Sequence, residues 1–301
     1  IFGLNQSLLV RAQVNLRDNL NTLDDRRRLN SNDKTEYSTN VNYSWPRFLG
    51  ENKLDITNSL TRKRFYSFDA DIFRAGLTLS RNFYDKIYFG LKYQLEIIRQ
   101  FDSTKESDEG YFRIGGLTPS ISLDLRDNLI NPKFGSFFSL SLEIANPGLA
   151  SMKKDDIEVN FAKIVSRNKF YYSFNNITLA SSVSFGVEKN LSTDLLLDSD
   201  GNVIYNANGN VKTTGYIPGI KIFRLEGIDG IRGFSDEEIN RVESGSDISD
   251  IIIQDKAYFI NCKFESRYTV GDNLIFALFF DAGRVYVEHL KPLKLRTSIG
   301  G

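Results

Sequence analysis

"KIYFGLKYQLEI", Lys86 to Ile97, is the stretch on which the fold turns. Ile87, Phe89, Leu91, Tyr93, Leu95 and Ile97 share one parity, while Lys86, Gly90, Lys92, Gln94 and Glu96 share the other. Successive side chains of a strand point to opposite faces, so a strict period of two gives a strand one apolar and one polar face and suits a helix badly. The pattern recurs. Leu8, Val10, Ala12, Val14 and Leu16 alternate with Arg11, Gln13, Asn15 and Arg17. Phe138, Leu140, Leu142 and Ile144 alternate with Ser139, Ser141 and Glu143, and Tyr258, Ile260, Cys262, Phe264 and Tyr268 with Asn261, Lys263, Glu265 and Arg267. In each case the second face is polar throughout.

About twelve such strands are expected, near 7–17, 37–45, 53–62, 71–82, 86–98, 111–126, 136–145, 157–168, 174–188, 256–268, 274–285 and from 295 onward. Many are ten residues or longer, where strands of soluble sheets usually run to about five or six. Strands of roughly 9–11 residues, apolar outward and polar inward, with short turns alternating with long loops, are the mark of a transmembrane β-barrel. The connections alternate in this way. "PRFLGENK" after Trp45, "NFYDK" at 82–86, "NPKFG" at 131–135 and "TVGDN" at 269–273 are short; 18–36, 99–110, 146–156 and 189–255 are long, the last being rich in Asp, Asn, Ser and Gly and expected to face the cell exterior. Closure removes sheet edges whose unpaired backbone groups would cost several kcal/mol each in hydrocarbon. Phe83, Tyr84, Tyr171 and Tyr172 suit the two interfacial girdles. The competing fold, a large soluble sandwich or solenoid, is poorly matched by long strands whose opposite face is polar.

Composition narrows the chemistry. Lys plus Arg equals Asp plus Glu at 38 each, so no net field argues for nucleic acid. One His289 and one Cys262 leave nothing for an intramolecular disulfide or a multi-histidine metal site. The densest apolar run, "LIFALFF" at Leu274–Phe280, is far too short for a membrane-spanning helix. The N-terminal "IFGLNQSLLVRAQ" lacks the features of a signal peptide. "DSDG" at Asp198–Gly201 opens like a calcium loop but the later ligands do not follow, so a hairpin is expected, with a second turn at Asn208–Gly209. "SDEE" at 235–238 fits a solvated loop or a helix start. Glu96, Asp124 and Glu143 sit on polar faces and could in principle pair for hydrolysis, but no Ser-His-Asp spacing supports them; they are expected to line a wet lumen, and no enzyme activity is expected. "NLRDNL" at 15–20, "DLRDNL" at 124–129 and "GDNL" at 271–274 read as strand ends in which Asp-Asn turns the chain.

Two motifs remain. Asp281, in "FFDAG", shares the parity of Ile275, Ala277, Phe279 and Gly283, away from Leu274, Phe276, Leu278 and Phe280, so its carboxylate points inward and needs a partner. Glu265 and Arg267 face inward from the preceding strand. Arg232 sits in "LEGIDGIRGF", Leu225 to Phe234, where Gly230 and Gly233 permit tight turns and Ile231 and Phe234 flank the guanidinium. It could complete the cluster around Asp281; an exposed turn whose arginine meets only water is equally compatible with these residues.

"GIDGIRGF" resembles the (I/V)RG(F/Y) loop tip of the outer-membrane-protein assembly superfamily, the BamA- and TamA-like barrels, and "FFDAG" resembles their F/W-x-D-x-G strand motif. With the strand carrying Glu265 and with "PSISLDLRDNLINPKFGSFFSLSLE" at 119–143, the similarity extends across nearly the whole chain. Glu226 departs from it, standing where relatives often have the first of two glycines. The resemblance implies an all-β, sixteen-stranded transmembrane antiparallel barrel in the Gram-negative outer membrane. About twelve of its strands would lie in residues 1–301, with the first two and last strands and the periplasmic POTRA domains outside, and loop 189–255 folded into the lumen. It implies that Gly230, Ile231, Arg232, Gly233 and Phe234 form the loop tip, that Asp281 accepts from Arg232 with Glu265 as a second acceptor, and that Phe279 and Gly283 complete the site. It further implies insertion of unfolded β-barrel clients, needing no metal, nucleotide or other cofactor. Contacts with outer-membrane lipid and lipopolysaccharide, and with periplasmic chaperones or accessory lipoproteins through POTRA domains, go with this reading. A two-partner secretion pore or a passive porin are the alternatives.

Overall fold

The computed structural model describes residues 5–16, 35–64, 68–102, 109–154, 157–205, 211, 213–223, 225, 230–234, 256–271, 274–287 and 294–301. Twelve strands form one sheet. They are β1 (Ser7–Leu16), β2 (Thr35–Trp45), β3 (Lys53–Arg64), β4 (Asp69–Phe83), β5 (Ile87–Phe101), β6 (Gly110–Asp124), β7 (Gly135–Ala145), β10 (Phe161–Phe174), β11 (Ile177–Asn190), β12 (Lys256–Val270), β13 (Leu274–Val287) and β14 (Arg296–Gly300). Each pairs antiparallel with the next in the sequence, so the sheet is a simple meander. A small hairpin, β8 (Lys153–Lys154) with β9 (Ile157–Glu158), stands apart. It corrects the expected start of the eighth long strand. Ile157–Glu158 pairs with β8, and Glu158 also bridges to Gly215, so the long strand begins only at Phe161. Among the described residues, helix is limited to the short 3-10 turns Pro147–Leu149 and Gly219–Lys221, and no helix is long and apolar enough to cross a membrane, which says nothing of strands.

Parity separates two environments. On β13, Leu278 is 70% exposed while Asp281, three residues on, is fully buried. Phe73, Leu77, Leu79, Leu140, Phe185 and Phe264 likewise lie exposed on the outer face. A contiguous apolar surface of that extent needs an apolar solvent. Its upper limit is marked by a row in cross-strand register, Tyr37–Arg62–Asp71–Arg99–Tyr111. There Arg62 makes a bidentate pair with Asp71 (2.6 and 2.8 Å), and Arg62 and Arg99 each lie 5.4 Å from the Phe101 ring. The lower limit is marked by Arg81, 4.7 Å from the Phe83 ring, and by the edge-on pair Phe83–Phe89. Asp71 and Arg81 are about ten residues apart on β4, or about 33 Å along a strand and roughly 25 Å of height at a ~40° tilt, the usual apolar band of a membrane barrel. Of the aromatics expected in the girdles, Phe83, Tyr84 and Tyr172 face outward or into solvent. Tyr171 does not: alternation turns it inward, where it borders the same cavity as Arg167 and Arg232.

The inner face differs from expectation at the long-loop end. Instead of a wet lumen throughout, Phe68, Ala70, Ile72, Ile98, Phe112, Ile114, Phe161, Ala257 and Val285 form an apolar cluster with Ile217, Ile222, Phe223, Leu225 and Ile231 of the long connection between β11 and β12. The sheet therefore curls around a segment of its own chain, which fills the upper lumen.

Candidate functional site

Arg232 is held at the centre of the inner face of β12 and β13. Its Nε and Nη2 donate to the two oxygens of Asp281 at 2.8 Å each, its backbone N–H donates to Asp281 Oδ2 at 3.0 Å, and its Nη1 donates to Glu265 Oε2 at 2.7 Å. The guanidinium lies over the Phe279 ring, 3.7 Å from its centroid. Glu265 uses its other oxygen for Arg267 at 2.6 Å. The planar fork thus meets a bidentate carboxylate, a second acceptor and an aromatic face, a set that only arginine can satisfy together. Hydrogen bonding to Asp281, then the reinforcing bond to Glu265, raises the guanidinium above its ordinary range against partial desolvation.

The local sequence explains the pose. Gly233 adopts φ +83°, left-handed backbone that other residues enter at a cost, and so turns the chain just after the arginine. Ile231 and Phe234 do not flank the guanidinium as expected; they pack in or against the apolar cluster and drive the tip inward, while Phe279 supplies the flanking ring. Gly230 is buried beside them. Gly283, opposite Asn261 in register, leaves space that a Cβ would take, 2.8 Å from the Ile260 carbonyl. Glu226, "SDEE" at 235–238, Asn208–Gly209 and His289 lie outside the described residues.

A second tether was not anticipated. Lys221, in the 3-10 turn of the same connection, donates from Nζ to Glu143 Oε1 at 2.7 Å and to Glu96 Oε1, on β7 and β5. Glu96 also accepts from Arg74 Nε at 3.1 Å. Lys163 donates to the Lys221 carbonyl, stands 3.9 Å from the fully buried Glu188 carboxylate, and lies 4.3 Å from the Phe223 ring. Burial pulls the Lys221 ammonium down, but Glu96 and Glu143 outweigh it and hold it above its ordinary value. Two of the acids considered for paired-carboxylate chemistry are therefore ligands of one ammonium. The third, Asp124, pairs with Arg126 at 2.6 Å near the short-turn end. The available signal was "PGIKIF" at 218–223, a lone cation among apolar residues like Arg232 in its own motif. A third attachment is backbone: Glu158 N–H donates to Thr214 O, and Tyr216 N–H to Glu158 O, both at 2.8 Å.

"DSDG" is a hairpin turn, with Asp198 Oδ1 accepting from the Asp200 and Asn202 backbone N–H groups at 2.9 and 2.8 Å and Gly201 at φ +81°. Among the described residues no cluster of His, Cys, Asp and Glu is arranged to hold a metal ion.

With a meander of long strands and an internally tethered loop in place, family comparison becomes decisive. A model of the Omp85 superfamily domain matches residues 1–294. The chain belongs to the Omp85 superfamily. Its structure is similar to that of BamA from Haemophilus ducreyi lacking POTRA domains 1–3, with a TM-score of 0.56 at 14% identity over 84% of this chain and 50% of that one. That likeness concerns the fold, and the chain spans about half the length of the BamA chain. A copper transporter, OprC, aligns over 98% of this chain and 40% of its own at 6% identity and a TM-score of 0.37. No sequence among curated proteins matches. The meander is thus wall of an Omp85 transmembrane antiparallel barrel of the Gram-negative outer membrane, and membership carries a family-level role in outer-membrane protein assembly or secretion.

Proposed function

We propose that this Omp85 chain is the barrel of an insertase, which helps unfolded β-barrel clients fold into the outer membrane by conformational means, without enzymatic chemistry. The observation that carries this reading is the inward lock of the loop: Arg232 in the fork of Asp281 and Glu265, with an apolar cluster above it. A porin keeps a polar, water-filled lumen; here the upper lumen is filled by the chain itself, which favours a machine that works through its wall. In such a machine an incoming strand pairs with an exposed sheet edge, since backbone hydrogen bonds supply sequence-tolerant affinity, and thinned lipid lowers the insertion barrier. The tethered loop serves as an internal brace that keeps the opposing wall in register.

The test times the folding of several unfolded barrel clients on liposomes carrying the full-length protein against empty liposomes. Acceleration across clients is expected. Unchanged folding together with steady ion conductance would replace the insertase with a secretion pore or porin and leave Arg232 as a structural brace.

A further inference from the structure

Beneath the loop tip lies a lumenal cavity of about 320 Å³, with Arg232 and Glu265 of the tether on its border. Three neighbouring strands line it. β10 contributes Arg167 and Lys169, β11 contributes Ser182 and Ser184, and β12 contributes Lys263 and Arg267, with Arg232 above. Register sets their order: Arg167 is opposite Ser184, and Lys169 is opposite Ser182, which is itself opposite Lys263. The serines are short, so the middle strand forms a floor between two cationic walls.

The charge is unbalanced. Five cations, counting Arg232, meet the carboxylates of Glu265 and Asp281; Arg232 and Arg267 bond those two, and Lys263 stands opposite Asp281 in register. Arg167 and Lys169 have no carboxylate partner among the described residues. In a confined, partly walled site such an excess focuses a positive potential. Apart from Glu265, already held by Arg232 and Arg267, the charged groups on the walls all donate, and the floor adds hydroxyls, so the complementary ligand is an oxyanion. Its shape follows from spacing. Arg167 and Lys169 stand about 7 Å apart along their strand, and Lys169 and Lys263, two strands apart, stand roughly 10 Å from one another. One small anion cannot span that grid, whereas an extended peptide presents alternate side chains on one face every ~7 Å.

We propose that this cavity binds an extended acidic peptide segment, with carboxylates at alternate positions, entering from the short-turn end of the lumen. The inference rests on the barrel and its water-accessible lower lumen, and it does not require client insertion.

The test uses the full-length protein in nanodiscs and fluorescently labelled peptides of alternating Asp and Ser or alternating Asn and Ser, read by anisotropy. The acidic peptide is expected to bind saturably and to weaken as salt rises, and the double variant Arg167→Gln/Lys169→Gln to weaken it roughly tenfold. Arg167→Lys, which keeps the charge, is expected to retain most of the binding and shows that a loss in the double variant is electrostatic; heat-dependent gel mobility confirms that each barrel is folded. Equal binding of the Asn-Ser peptide, or no change in the double variant, overturns the proposal. Displacement by inorganic phosphate as readily as by unlabelled peptide also overturns it, reducing the cavity to a simple oxyanion site. Loss of this binding with client folding still accelerated removes the peptide site and leaves the insertase standing.

Discussion

The two side-chain tethers do the same job with different chemistry. Arg232 joins the loop to adjacent strands, β12 and β13, through a planar fork against a fully buried Asp281 and a stacked Phe279. Lys221 joins it to β5 and β7, strands separated by β6, through a single ammonium between two carboxylates. An ammonium is a point charge with rotatable donors, tolerant of where its partners stand. The guanidinium demands a fixed geometry and fixes one in return. The contrast suggests a rigid reference point on one wall and an adaptable strut to the other.

Breaking the rigid side has the largest expected effect. Arg232→Ala strands the fully buried Asp281 carboxylate, which costs about 3–5 kcal/mol; Asp281→Ala should cost less, because Arg232 is partly exposed and keeps Glu265. Urea denaturation in micelles reads that cost, and the liposome folding assay should slow in parallel. In the double variant the loss should fall well short of the two single losses combined; simple additivity would show the residues uncoupled and sink the pairing. Next comes Lys221→Met, expected to cost about 2 kcal/mol because Glu96 and Glu143 then face one another without the ammonium. The effect should be smaller than on the rigid side because Glu96 keeps Arg74.

pH separates the tethers further. Lys221 titrates above its ordinary 10.5 in the folded state. Its contribution is therefore complete below the unfolded value and is lost as pH rises through the raised one. The stability difference between the parent and Lys221→Met should be flat from neutral pH and shrink only in strong alkali, whereas the difference for Arg232→Ala should stay level. A Lys221 difference already shrinking near neutral pH would contradict the assignment.

Smaller effects sharpen the comparison. Arg232→Lys keeps charge but loses the fork and the stack, and should cost about 1–2 kcal/mol in the same denaturation experiment. If it matched the parent, geometry would not matter at this tether. Gly233→Ala has open space around the new methyl but must hold φ +83°, a strain of about 1 kcal/mol. It should lower the midpoint slightly and leave client folding close to the parent rate.

How much of this was legible follows from range along the chain. Alternation on β5 and β13 exposed the strands and their inward faces because that signal is local. The loop tip was legible through two short motifs in order, although its flanking residues were misplaced: Phe279, on a strand, supplies the ring that Ile231 and Phe234 were expected to provide. Lys221 escaped because its acids lie 125 and 78 residues away, with no pattern tying them together. The apolar cluster escaped for a related reason. Ile98 and Ile114 sit on faces that are polar lower down, and only a loop arriving from elsewhere makes an apolar residue favourable there. The opening of β10 was misread because Ile157–Glu158 has strand character but finds its partners in β8 and Gly215.

The bracing is one-sided. Among the described residues, the buried members of the apolar cluster come from the segment opening into β4, from later strands and from the loop, with none from β1–β3, and neither side-chain tether reaches those strands. A curved wall propped over one arc and unpropped over another does not have a single stiffness. Thermal bending concentrates in the unpropped arc, where backbone ladders and cross-strand pairs such as Arg62–Asp71 resist it without an inner prop, while the propped arc moves as a unit. The wall is thus graded like a spring clamped at one end, with its softest hydrogen-bond ladders at β1–β3.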